Sequence, residues 1–115
     1  MLQKDLIDLK KAWDFIFQSL LFPGRDIQLW SKNYGYRDYF HAVARGNKII
    51  ITRSLEKDPS CKIQNGSERS IDYQQFECVA NRFNQYVAGD LKRHIIRDKC
   101  GQNTSYIISL IIHFL

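Results

Sequence analysis

Histidine and cysteine are the side chains best suited to acid–base or nucleophilic chemistry near neutral pH, and here their spacing argues against a catalytic constellation. His41, His94 and His113 each stand isolated in the chain. There is no H-E-x-x-H pair, no nucleophile elbow and no phosphate-binding glycine loop. Cys61, Cys78 and Cys100 form an odd, widely spaced set without C-x-x-C or a zinc-ligand pattern, so no metal and no cofactor is expected. Cys78 and Cys100 have no visible base partner and read as structural thiols, and three scattered thiols without a signal peptide point to a reducing compartment and a cytoplasmic protein. One enzymatic alternative survives. A small metal-independent ribonuclease needs only an acid–base group and phosphate clamps, a set that His41, Tyr39, Arg45 and Arg53 could supply.

Cations next to aromatic or amide side chains offer a different chemistry, the recognition of phosphates and bases. One such stretch is Tyr34-Gly35-Tyr36-Arg37-Asp38-Tyr39-Phe40, continuing through His41, Arg45, Lys48 and Arg53. Aromatic rings there could stack single-stranded bases while the cations neutralise phosphates. The competing reading is an ordinary sheet, in which period-two alternation alone generates that mixture.

A second stretch runs from Leu91 to Phe114 as helix, glycine turn, helix. Lys92, Arg93, Arg97 and Lys99 lie on its first half, and Gln102, Asn103, Thr104 and Ser105 open its second. With Gly101 at the turn and Ile96, Cys100, Ile107 and Leu110 between the helices, the segment is similar to a helix-turn-helix. That resemblance implies a second helix reading the DNA major groove from its N-terminal residues. Two positions depart from the pattern: Arg97 replaces a small residue and Gln102 an apolar one. The last helix is also rich in Ile and Leu, with only Ser105, Ser109 and His113 as a polar stripe. A helix this apolar is normally buried on most of its circumference. Either it is the central helix of the fold, or a second copy covers Tyr106, Ile108, Ile111, Ile112 and Leu115.

The elements that must position these groups follow from periodicity. Leu2, Leu6, Leu9, Trp13, Ile16 and Leu20 make one stripe of a helix over residues 2–20, ended by Pro23-Gly24. Ile27–Trp30 suits a short strand. Tyr39–Arg45 and Lys48–Arg53 flank Gly46-Asn47 as a β-hairpin, and Ile49-Ile50-Ile51 has the two-sided apolarity of a central strand. Residues 54–70 read as loop, with a short strand near Arg69–Ile71. Asp72 and Gln75 open a helix over 73–88 as a capping box, with Phe76, Val79, Ala80, Phe83 and Val87 inward and Gly89 as its left-handed cap. Asp90 could cap a helix over 91–100, and Asn103 or Thr104 another over 104–115.

The expected architecture is one α+β domain spanning residues 1–115: an N-terminal helix, a small antiparallel sheet of about three strands, and a three-helix C-terminal unit. At 115 residues a core needs no disulfide or metal to hold it. The apolar run Tyr106–Leu115 is far shorter than the ~20 residues of a membrane span, so no membrane partner is expected. A net charge of +5 raises the odds of an acidic partner. The leading expectation is a non-enzymatic homo-oligomer, a dimer first, with nucleic acid as ligand. A protein-interaction or antitoxin-like accessory subunit is the alternative, ahead of the ribonuclease.

Overall fold

The computed structural model describes residues 8–54 and 67–115. Helix α1 (Leu9–Ser19) is followed by strands β1 (Arg25–Ser31), β2 (Gly35–Arg45), β3 (Lys48–Arg53) and β4 (Arg69–Ile71). Helices α2 (Tyr73–Ala80), α3 (Phe83–Ala88), α4 (Arg93–Cys100) and α5 (Thr104–Phe114) complete the chain. This is the α+β arrangement read from the sequence, with four strands instead of three. The expected helix start over residues 1–7 and the loop signals at Asp58-Pro59-Ser60 and Asn65-Gly66 lie outside the described residues, as does Cys61.

The strands run β1-β2-β3-β4, every neighbour antiparallel. Arg45 pairs with Lys48 across Gly46-Asn47, the two-residue turn that the sequence signals, and Gly46 takes a φ of +65°. Between β1 and β2, Ser31 faces Gly35 across the three-residue turn Lys32-Asn33-Tyr34. The register slips nearby: Gln28 pairs with Tyr39 but Trp30 with Tyr36, so two steps on β1 answer three on β2. The surplus residue forms a bulge at Arg37–Asp38, and the Gln28 side-chain amide donates to the Arg37 carbonyl at 2.8 Å.

One face of the sheet carries Ile27, Phe40, Ala42, Ile49, Ile51 and Ile71, all buried beneath helices. Helix α5 lies on β1, with α2 and α4 against its flanks. Ile107, Ile108, Leu110 and Ile111 are all fully buried within this one chain. The apolar excess of the last helix is therefore taken up by the chain's own sheet and helices. Of the five residues expected to meet a second copy, Ile108 and Ile111 are core, and Tyr106, Ile112 and Leu115 are partly buried against it.

Local capping follows the sequence in some places and not in others. Asp72 and Gln75 form the expected reciprocal box, and Gly89 closes α3 at a φ of +89°. The helix expected over 73–88 is interrupted at Asn81–Arg82. Lys92, not Asp90, stands at the N-cap of α4, and no side chain caps it. Asn103 occupies the α5 N-cap without capping: its amide nitrogen donates to the Ser70 carbonyl at 3.0 Å, and its buried Oδ1 accepts from none of the α5 amides.

The cysteine reading needs the largest correction. Cys78 and Cys100, 22 residues apart, form a disulfide between α2 and α4, with their Cα atoms at 5.6 Å. Packing of the two helices brings the sulfurs together, which spacing along the chain cannot reveal. Two of the three thiols behind the expectation of a reducing compartment are therefore paired with each other.

Candidate functional site

The cations of the β1–β2 turn and those of α4 come together, although some sixty residues separate them along the chain. A recess of about 450 Å³ is lined by Ser31, Lys32, Tyr34, Arg37, Tyr86, Lys92, Arg93 and His94, with Asn33, Gly89 and Leu91 completing its wall. No Asp or Glu stands among these residues. A second recess of about 310 Å³ shares Ser31, Arg37 and Arg93 with the first, and adds Trp30, Asp38, Arg69, Gln102, Ser105 and Tyr106. The shared residues make the two adjoining parts of one groove, its first part without a carboxylate and its second holding Asp38 beside Arg37, Arg69 and Arg93.

Each wall is held by the fold. The Lys32 backbone N–H donates to the Tyr86 hydroxyl at 2.9 Å, tying the β1–β2 turn to α3. Ser31 Oγ accepts from the Tyr34 N–H at 3.2 Å, which closes the turn. Lys32 Nζ reaches so near Gly89 that a Cβ there would stand 2.8 Å from it, so the lysine crosses the α3–α4 turn. The β2 bulge carries Arg37, whose guanidinium lies 5.6 Å from the Tyr34 ring centroid. On the far wall, Arg93 donates to Ser105 Oγ at 2.8 Å, joining the start of α4 to the start of α5. Arg69 lies 5.9 Å from the Tyr106 ring. Among the described residues, no salt bridge engages Lys32, Arg37, Lys92 or Arg93. Their charge is directed at the groove and the solvent.

The residues expected to bind nucleic acid are divided by the structure. Lys92, Arg93, Gln102 and Ser105 line the groove. Arg97 and Lys99 are exposed on α4 and line neither recess; Arg97 lies 3.8 Å from Asp98. Asn103 is buried on the Ser70 carbonyl, and Thr104 is 1% exposed and donates to the Gly101 carbonyl. These two face inward, as α5 is the central helix, and cannot serve as the tip of a groove-reading helix. Arg45 holds both Glu68 carboxylate oxygens at 2.8 Å, with Lys48 across the hairpin. Arg53 lines a separate recess with Pro23, Arg25, His41 and Thr52.

Ser109 also departs from the expected solvent stripe. It is buried, accepts the Trp30 N–H at 2.9 Å and donates to the Ser105 carbonyl. The hydroxyl thereby satisfies a strand amide next to the bulge. His41 has both ring nitrogens against acceptors: Nδ1 is 3.1 Å from Asp26 and Nε2 is 2.9 Å from the Pro23 carbonyl. His41 and Arg53 share one recess, whereas Arg45 is paired with Glu68 and Tyr39 does not line that recess, so the four ribonuclease candidates are only partly brought together. Among the described residues, no group of three His, Cys, Asp or Glu is placed to hold a metal, and no helix is long and apolar enough to cross a membrane.

Sequence reasoning overlooked Lys32, Arg69 and His94 as partners of this site. Lys32 sits beside the turn residues Asn33 and Tyr34, a position that signals exposure, but only the tertiary fold brings it to α4. No protein-family model, curated protein or solved structure matches this chain.

Proposed function

We propose that the protein binds nucleic acid through the groove between the β1–β2 turn and the start of α4. The observation that supports this most is the first recess, where Lys32, Arg37, Lys92, Arg93 and His94 converge without a carboxylate. Such a wall attracts phosphates, while Ser31, Ser105 and Gln102 supply neutral hydrogen-bonding groups. The groove replaces the major-groove helix of the sequence reading: the ligand meets a concave surface.

Fluorescence anisotropy with labelled oligonucleotides at graded salt tests the proposal. Affinity should fall steeply with salt as counterions are released, and Lys92→Gln or Arg93→Gln should each flatten the log–log slope by about 0.7–0.9. Arg97→Gln, outside the groove, should leave the slope as it is. Absence of binding to any single-stranded or duplex oligonucleotide at low salt would overturn the proposal.

A second reading, contact with another copy of the chain, rests on a different surface from the one the sequence suggested. Phe15, Leu21 and Phe22 are exposed around the end of α1, Phe22 to 89%. Light scattering across concentrations decides it: a dimer lost in Phe22→Ser supports the reading, and a monomer throughout removes it.

A further inference from the structure

We propose that the ligand of the groove is a single strand, with one base stacked on Tyr34 and its phosphates held by Lys32, Lys92 and Arg93; this rests on the nucleic-acid reading above. Tyr34 stands at the tip of the β1–β2 turn and is 76% exposed, so its ring is open to a ligand. Its backbone is fixed by Ser31, and Arg37 approaches the ring as in a cation–π pair. The turn that carries the ring is thus fixed, the ring is open, and it borders the recess that holds the cations.

Two features separate a single strand from a duplex. A duplex keeps its bases paired inside and reads best against a projecting helix or strand pair. Here the helix that would project, α5, is enclosed by the sheet, and its opening residues Asn103 and Thr104 are buried. What the surface offers instead is a recess flanked by a ring, which suits an unpaired base that can turn outward onto the ring while its backbone follows the cations. The groove continues past Arg37 and Arg93 into the second recess, so the strand has a path on both sides of the stacked base.

The direct experiment compares short labelled oligouridine and oligodeoxythymidine with duplexes of the same length at one salt concentration. Single strands should bind at least about tenfold tighter. Tyr34→Ala should weaken them about fivefold to a hundredfold, while Tyr34→Phe keeps wild-type affinity. The salt slope should be unchanged in Tyr34→Ala, because the ring neutralises no phosphate. Tyr34→Trp should bring an indole fluorescence change on adding strand. Circular dichroism and thermal midpoint should match wild type in all three variants, since Tyr34 supports no core contact. Equal affinity for duplex, or an unaltered single-strand affinity in Tyr34→Ala, overturns the single-strand proposal but leaves nucleic-acid binding standing. Heparin competing as well as an unlabelled strand also overturns it, since charge alone would then explain the binding. If no oligonucleotide binds at all, the parent proposal fails and this one with it.

Discussion

Helices α4 and α5 are joined by a short turn and both begin at the groove, yet they are built on opposite terms. In α5, Thr104, Ile107, Ile108, Ser109, Leu110 and Ile111 are buried, and the helix has no Lys, Arg, Asp or Glu. In α4, only Ile96 and Cys100 are buried, and the other six residues face solvent. The Arg93–Ser105 hydrogen bond links the two where they meet the groove. Core packing and surface charge are thus assigned to different helices. The inner one fixes the sheet and the start of the outer one, and the outer one presents charge with few apolar anchors of its own.

The contrast is broken most directly by matched truncations. Ile108→Ala removes a fully buried side chain from α5 and should cost about 2–5 kcal/mol in urea unfolding. Ile95→Ala on α4, where the side chain is 46% exposed, should fall within about 0.5 kcal/mol of wild type. Similar costs at the two sites would mean that α4 is packed as firmly as α5. The next largest effect belongs to the disulfide, which reinforces the thin anchor of α4. Replacing both Cys78 and Cys100 with Ser releases a link across 22 residues and should lower stability by about 3 kcal/mol. Hydrogen exchange should locate the change: amides of α4 lose protection first and those of α5 retain it. Uniform loss along both helices would show that the link stabilises the whole domain and not α4 in particular.

Much of this architecture was legible because it is local. The capping box at Asp72 and Gln75, the Gly46-Asn47 turn and the Phe76–Phe83 stripe depend on residues within a few positions of one another. The site was half legible. Lys92 and Arg93 could be selected from α4 and Tyr34–Arg37 from the hairpin, but their convergence depends on how α3 meets the β1–β2 turn through Tyr86 and Lys32. The polar residues of α5 misled for a related reason. A Ser on an apolar helix reads as a solvent face, whereas Ser109 answers a Trp30 amide 79 residues away. Ser109→Ala tests that account: leaving the buried Trp30 N–H without its acceptor should cost about 1–3 kcal/mol, below the disulfide or comparable with it.

The smallest effect lies at the far end of α5. His113 closes the helix with its ring 4.6 Å from that of Phe114, and Arg25 lies 5.9 Å from the Phe114 ring. A helix C-terminus favours the imidazolium form. Here partial burial, and behind it the charge of Arg25, outweigh that preference and hold the His113 pKa below the ordinary histidine value. Because the folded value is the lower one, folding favours the neutral ring. Its contribution to stability is complete above the ordinary histidine range near pH 6.5 and is lost as pH falls through the folded pKa. NMR titration should therefore find His113 below a histidine in an unfolded peptide of the same sequence. Arg25→Gln should move it part of the way back, as burial is the larger cause and remains in place. A His113 that titrates at its unfolded value in the wild type would mean that the end of α5 is as open to water as the surface of α4, and the contrast between the helices would then hold only for the middle of α5.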